Sequence, residues 1–302
     1  MTNYCGFVAV VGEPNVGKST LVNHLVGKKI SITSDRIQTT RHSITGIKTI
    51  MNNDKNNYQF IFVDTPGLEK KKINQYSKIL NQAVLKTLKD ADIIVWVIAA
   101  NNYSHEDEYI IKHLQSIKNK PIILAINKSD KIKNKLTLTH QFNNTLLLKQ
   151  QYSFITNSCL VSAKHNIAIN KLIIMMQSLL PTGPLLFDAN QYSTRDNNFE
   201  IEEIIREKTF RYLGQELPYT LIIEIESIEE TKNLIKIKAI IFVTKASHKA
   251  IVIGHQGAVL KKISMQSRLD IEKTIINKKV FLEIWVKYRP NKPINLNFLD
   301  CS

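Results

Sequence analysis

Through the first 180 residues, short unbroken apolar runs alternate with longer stretches that mix apolar and polar positions. The runs Phe7 to Val11, Tyr58 to Val63, Ile93 to Ile98, Ile122 to Ile126 and Cys159 to Val161 read as buried strands. The segments Lys18 to Val26, Ser77 to Leu88, Glu106 to Ile117 and Ile167 to Leu179 read as helices. Ser43 to Ile50 is also strand-like, and the turn-forming stretch from Asn52 to Asn57 that follows it predicts a hairpin with Tyr58 to Val63. Strands alternating with helices predict an α/β domain over residues 1–180. Its sheet is mostly parallel and covered on both faces, with ligands at the carboxyl ends of the strands.

Beyond Leu180 the pattern changes. Residues 181–198 are rich in Pro, Gly and polar side chains and have no periodicity, so they are expected to form a linker. Phe199 to Leu213 places Ile201, Ile204, Ile205 and Tyr212 on one helical face, and Gly214 ends the helix. Two alternating strands follow, with Leu221, Ile223 and Ile225 on one and Ile235, Ile237, Ala239 and Ile241 on the next. Then come a short helix, the Gly-bounded turn Gly254-His255-Gln256-Gly257, a second helix, and a last strand turning Val280, Leu282, Ile284 and Val286 inward. This order predicts an α+β domain over residues 199–290 and a tail over 291–302.

Composition narrows the setting. Cys5, Cys159 and Cys301 are too few and too far apart for a metal site or a disulfide framework, which points to a reducing compartment. The first strand begins by Phe7, leaving no room for a signal peptide, and no apolar run approaches the ~20 residues of a membrane span. A cytoplasmic protein is expected. The net charge of +15 points to an anionic partner such as nucleic acid or a membrane surface, although abundant Lys, Asn and Ile also fit AT-rich coding. Residues 244–292 carry 11 basic against 3 acidic side chains, whereas residues 190–243 carry 7 against 10.

Four motifs sit at predicted strand ends. Gly12-Glu13-Pro14-Asn15-Val16-Gly17-Lys18-Ser19-Thr20 has the spacing of a phosphate loop. Its backbone N–H groups converge on an anion at a helix N-terminus, Lys18 reaches the β- and γ-phosphates, and Ser19 holds Mg2+. Asp64-Thr-Pro-Gly67 supplies a carboxylate for a Mg2+-bound water and a backbone N–H for a terminal phosphate. Asn127-Lys128-Ser-Asp130 fits guanine, because the Asp130 carboxylate can accept from both N1–H and the 2-amino group. Ser162-Ala163 follows the last strand, and the Ala163 N–H can donate to O6. In the second domain, Gly254 to Gly257 would let a nucleic-acid backbone approach closely, with Ile253, His255 and Gln256 beside it. Lys249, Lys261, Lys262 and Arg268 would neutralise phosphates there.

With these residues in view, the first domain resembles a small GTPase of the translation-factor-related class. That resemblance implies GTP and GDP as ligands. It assigns Thr40 to Mg2+ beside Ser19, with Thr39 an adjacent rival, and makes residues 31–42 and 65–76 switches set by the γ-phosphate. It assigns the catalytic work to Lys18, Asn15, Thr40 and Gly67. Leu68 stands where Ras-like enzymes place the Gln that orients water. Relatives with Asn in the phosphate loop imply instead a potassium ion held near Asn15. The second domain resembles a type II KH domain, an RNA-binding module. The pair, together with Gln38-Thr-Thr-Arg-His42, Glu203-Ile-Ile-Arg-Glu-Lys208, Glu216-Leu-Pro-Tyr219, Val252-Ile-Gly-His-Gln-Gly257 and Leu282-Glu-Ile-Trp-Val-Lys287, resembles the Era family of bacterial ribosome-assembly GTPases. The resemblance implies binding of the 3′ end of 16S rRNA, action in 30S subunit maturation, weak peripheral membrane contact and no stable homo-oligomer. It implies nothing for the tail.

Other side chains read more plainly. His24, His105, His113 and His140 lack metal-ligand spacing. Trp96 and Trp285 lie on strands, where packing is the favoured role, with base stacking open for Trp285. Lys70 to Lys72 is a solvated charge run or an RNA contact beside a switch. Two rival functions remain open at this point: an RNA-binding protein with a static nucleotide domain, and a GTPase acting mainly at the membrane.

Overall fold

The structure is a computed structural model that describes residues 1–31, 44–52, 56–68, 75–100, 105–117, 119–132, 152–213, 221–274 and 278–290. The chain divides into two compact units, Met1–Thr194 and Arg195–Ser302.

The first unit is a six-stranded sheet in the order β2-β3-β1-β4-β5-β6. Its strands are β1 (Asn3–Gly12), β2 (Ile44–Ile50), β3 (Asn57–Asp64), β4 (Ile93–Ala99), β5 (Ile122–Asn127) and β6 (Ile155–Leu160). β2 and β3 pair antiparallel, as the hairpin signal predicts, and the other neighbours are parallel. Every residue of β4 is buried, which a strand flanked by others and covered on both faces requires of its sequence. The helices are α1 (Lys18–Val26), α2 (Gln75–Asp90), α3 (His105–Ser116) and α4 (Ile169–Gln177). Each turns one stripe to the sheet, as with Leu80, Val84 and Leu88 of α2 and Ile110, Ile111 and Leu114 of α3. Trp96 is fully buried among them, as the packing reading expected. The register sets Val10 against Asp64, Gly12 against Val97 and Ala99 against Asn127, so the strands that carry motifs end at one edge of the sheet.

The segment expected to be a linker is bonded to the first unit through most of its length. The Cys5 N–H donates to the Pro181 carbonyl (3.1 Å), the Gly183 N–H to Asn3 (3.1 Å), and the Ile47 N–H to Tyr192 (2.9 Å). Gln59, fully buried on β3, is the hub of this attachment. Its Oε1 accepts from the N–H groups of Leu186 (2.7 Å) and Phe187 (3.0 Å), and its Nε2 donates to the Phe187 carbonyl (2.7 Å). An irregular segment without periodicity thus gets its backbone partners from β1, β2 and the Gln59 side chain, and the first compact unit runs on to Thr194.

The second unit has α5 (Asn197–Tyr212), β7 (Ile222–Glu230), β8 (Leu234–Val243), α6 (Ala246–Ile253), a short 3-10 turn, α7 (Ala258–Thr274) and β9 (Lys279–Tyr288). The sheet order is β7-β8-β9, antiparallel then parallel. Asp196 caps α5, its Oδ1 accepting from the Phe199 N–H at 2.9 Å. Ile201, Ile204 and Ile205 join Ile235, Ile237, Ile241, Val280, Leu282, Ile263 and Ile271 in one core. The helix is not simply amphipathic, because Glu203, Arg206, Glu207 and Lys208 are buried as well. They are tolerated because they pair. Arg206 forks onto Glu203 at 2.7 and 2.6 Å, and the Lys208 ammonium reaches Glu207 at 3.3 Å and also Asp270 on α7. Among the described residues no helix is long and apolar enough to cross a membrane.

Candidate functional site

At the end of β1 the chain turns through Glu13 to Val16 and enters α1 behind Gly17, which lies in the left-handed region at φ 98°. No side chain caps α1 and its first turn holds no acidic residue, which suits this helix N-terminus to an anion. A Cβ on Gly17 would lie 2.3 Å from Asn127 Nδ2, so only glycine admits the contact between this loop and β5. Lys18 is buried, and its ammonium donates to the carbonyls of Gly12 (3.1 Å) and Glu13 (2.7 Å), which arches it over the loop. Ser19 and Thr20 follow in the first helical turn.

The second motif lies directly against this loop. Asp64 is fully buried at the end of β3, and the Thr65 hydroxyl donates to the Val10 carbonyl at 2.9 Å. A Cβ on Gly67 would meet the Pro14 nitrogen at 2.7 Å, so the Gly67 backbone packs onto the phosphate loop. Leu68 is fully buried in the core with Val84, Leu88 and Trp96. Its side chain belongs to the packing and is withdrawn from any water in the site. Among the described residues no three His, Cys, Asp or Glu side chains gather as a metal cluster. That suits Mg2+ at a phosphate site, which takes one or two protein oxygens and completes its shell from phosphate and water. The Ser19 hydroxyl and the Asp64 carboxylate fit that role.

The base-recognition motifs are locked to each other and to the loop. Asn127 is buried, and its Nδ2 donates to the Val16 carbonyl at 2.8 Å. Its Oδ1 accepts the Ala163 N–H at 2.9 Å. The Ala163 amide, expected to donate to guanine O6, here donates to the buried Asn127 carboxamide oxygen. Lys128 adopts the left-handed region at φ 63°, and its ammonium donates to the Asn15 carbonyl. Asp130 accepts from the Ser162 hydroxyl at 2.5 Å, and the His165 imidazole lies 3.8 Å from its other oxygen. The Ser162 hydrogen bond, with lesser contributions from His165 and Lys164, holds the Asp130 carboxyl below the usual carboxylate range. His165 was not among the residues read from the sequence; its place directly after Ser162-Ala-Lys164 was the available signal.

In the second unit α6 ends at Gly254 (φ 74°), and the chain passes through Gln256 (φ 48°) and Gly257 (φ 77°) into α7. A Cβ added to Gly257 meets nothing within 4 Å, so the turn presents open backbone. Val252 is buried beneath it and Ile253 packs on the same core, while Lys249, His255, Gln256, Lys261 and Arg268 are exposed. Lys262 is exposed as well, its ammonium lying 4.8 Å from the centre of the Tyr212 ring. Trp285 is 54% exposed, so the packing expectation fails for it. Thr39, Thr40, the rest of Gln38 to His42, Lys70 to Lys72, His140, Gly214, Glu216 to Tyr219 and the tail lie outside the described residues.

Comparisons with known proteins agree with this division. Residues 7–128 match the family described as 50S ribosome-binding GTPase, and residues 216–292 match the KH domain. GTPase Era of Neisseria meningitidis serogroup C is 42% identical over 295 residues, covering 98% of this chain and 93% of that protein. GTPase Era of Chromobacterium violaceum is 40% identical over 98% of this chain and 96% of its own. Among solved structures, Era in complex with MgGDPNP and nucleotides 1506–1542 of 16S ribosomal RNA superposes with a TM-score of 0.85 at 32% identity, covering 95% of this chain and 94% of that one. A variant Era of Aquifex aeolicus bound to GDP·AlF4− gives 0.86 at 32% identity, covering 95% of each chain. With its phosphate loop, guanine motif and Gly-bounded turn in one polypeptide, and such identity along almost its whole length, the chain belongs to the Era family of GTPases.

Proposed function

We propose that this GTPase is a ribosome-assembly factor that binds the 3′ end of 16S rRNA through the Gly254–Gly257 face and acts in 30S maturation. The observation that carries the reading is the open, positively flanked turn between α6 and α7 in a chain so similar to an Era solved with that RNA. Lys249, Lys261 and Arg268 would neutralise phosphates, and the groove beside Ile253 and the turn would select bases. The +8 of residues 244–292 supports the assignment. On this reading the protein works in the cytoplasm, and contact with a membrane is peripheral.

In the first unit, Lys18 and the α1 amides hold the β- and γ-phosphates, and Asn127, Lys128, Asp130 and Ser162 hold guanine. Ser19, Thr40 and, through water, Asp64 would hold Mg2+, which would neutralise phosphate charge. The Gly67 amide, pressed against the phosphate loop, reports the γ-phosphate. With Leu68 in the core, this chain lacks a side chain there to orient water, so unassisted hydrolysis is slow. Asn15, at φ 62° with its carbonyl bonded to Lys128, is the residue we assign to a potassium ion that assists the step. Turnover should be several-fold faster in potassium than in sodium buffer, and Asn15→Ala should abolish that difference. Equal rates in both salts remove potassium from the mechanism. The reading as a whole is tested by RNA affinity in different nucleotide states, which should differ.

A further inference from the structure

Three stretches of chain meet at Gly46 on the edge strand β2. The first is the root of residues 31–42, the segment read as a switch set by the γ-phosphate. There Asn23, in the last turn of α1, makes three hydrogen bonds. Its Oδ1 accepts from the Ile30 N–H (2.8 Å) and the Ser31 N–H (2.9 Å), and its Nδ2 donates to the Ser31 carbonyl (2.8 Å). Ile30 is buried, and a Cβ on Gly46 would lie 2.3 Å from its Cδ1 and 2.7 Å from Val26 Cγ2. The second stretch is β2 itself, into which the same segment leads, so the chain before the segment and the chain after it pack together at one glycine. The third is residues 191–193, a strap along the outer edge of β2. Ser193 pairs antiparallel with Gly46, the Ile47 N–H donates to the Tyr192 carbonyl (2.9 Å), and the Ser193 hydroxyl donates to the Thr45 carbonyl (3.4 Å). The Lys28 ammonium, two residues before Ile30, lies 3.6 Å from the centre of the Tyr192 ring and joins the root to the strap directly.

The strap runs straight into the second unit, which begins at Arg195. Only Thr194 separates the bonded Ser193 from Arg195, whose guanidinium lies 4.8 Å from the centre of the Phe199 ring on α5. Asp196, next along the chain, caps that helix. The covalent path from one unit to the other therefore has little slack between two anchored ends. We infer that the junction of Ile30, Gly46 and Ser193, clamped by Lys28 on Tyr192, transmits the nucleotide state to the RNA-binding unit. While the γ-phosphate holds residues 31–42, the root at Ile30 and the start of β2 stay in place and the strap stays seated on them. Once hydrolysis releases the segment, that hold weakens and the strap with it. A ligand biases a distant site only through an element whose arrangements it distinguishes, and the strap touches both ends of the switch before it enters α5. The inference rests on the nucleotide-dependent RNA binding proposed above and names the residues that carry it.

The quantity to measure is the ratio of RNA dissociation constants between the GDP form and the GTP-analogue form of the full-length protein. Fluorescence anisotropy with the labelled 3′-terminal segment of 16S rRNA reads it. The native ratio should be about tenfold in one direction. Tyr192→Ala removes the ring and leaves the backbone bonds of the strap, and it should bring the ratio below about twofold while GDP affinity stays as in the native protein. Tyr192→Phe keeps a ring under Lys28 and should retain the native ratio, whereas Lys28→Gln should lower it. A flexible Gly-Ser-Gly insertion after Thr194 leaves every contact of the junction in place and should lower the ratio too, which separates transmission from folding of the first unit. If Tyr192→Ala keeps the native ratio, the inference is overturned. An insertion variant with the native ratio overturns it equally, because the strap would then not be the path. If the native protein itself binds RNA equally in both forms, the nucleotide-dependent reading fails rather than the choice of residues.

Discussion

In the Asp130→Asn variant, GTP affinity should fall by about two orders of magnitude and the xanthine nucleotide should take its place. The carboxylate accepts two guanine donors, N1–H and the 2-amino group. Each charge-assisted hydrogen bond into a site that excludes water contributes about 1.5–3 kcal/mol. An asparagine presents one acceptor and one donor, which clashes with the 2-amino group and matches the 2-carbonyl of xanthine. Asp130 lies outside the hydrophobic core, so the fold should survive. Competition between the two nucleotides, read by displacement of a fluorescent analogue, checks it. Because the Ser162 hydroxyl and the His165 imidazole hold the native carboxyl below its usual range, guanine binding by the unaltered protein should persist as pH falls past that range. It should be lost only when pH passes through the depressed value. Unchanged GTP affinity in the variant would remove the base contact assigned to Asp130.

Lys208→Met should destabilise the second unit by about 3–5 kcal/mol. Lys208 and Glu207 are both buried, and the ammonium also meets Asp270 across from α5 to α7. Its removal takes away the buried cation that joins Glu207 to Asp270, and leaves Asp270 with the exposed Lys273 at 2.9 Å. Arg211, mostly exposed at 3.4 Å from Glu207, is a weak substitute. Urea unfolding should show an earlier transition for this unit while the nucleotide unit unfolds as before, since two units need not melt together. Lys208→Met combined with Glu207→Gln and Asp270→Asn should recover part of the loss. A change under about 1 kcal/mol would mean the network is solvated rather than buried.

The nucleotide site was legible because its chemistry is local. A glycine that must turn, a lysine one residue into a helix and an asparagine and aspartate at a strand end lie in short runs, and the parallel sheet brings those ends together. The second unit was legible through alternation, which assigned Val280, Leu282, Ile284 and Val286 inward and so placed Trp285 on the opposite face; favouring packing for Trp285, with base stacking left open, did not follow that pattern through. What the pattern could not reveal depends on single polar side chains with distant partners. Residues 181–193 need no periodicity of their own, because Gln59, more than a hundred residues earlier, bonds Leu186 and Phe187 while Cys5, Asn3 and Ile47 bond the backbone on either side. A glutamine inside the apolar run Tyr58 to Val63 was the only trace of that role. The charged side of α5 looks solvated in sequence because pairing between Lys208 and Asp270 spans sixty-two positions. The hydrogen bond from the Ala163 amide to Asn127, thirty-six positions apart, was likewise invisible in the sequence.

RNA affinity measured on the full-length protein with a non-hydrolysable GTP analogue, with GDP and without nucleotide addresses the central claim most directly. With magnesium present and the 3′-terminal segment of 16S rRNA as probe, the account predicts dissociation constants for the analogue-bound and GDP-bound forms that differ by about tenfold, the scale of an ordinary coupling free energy between two sites. Three equal values would contradict it, leaving a nucleotide-binding scaffold beside an RNA-binding domain with no switch between them.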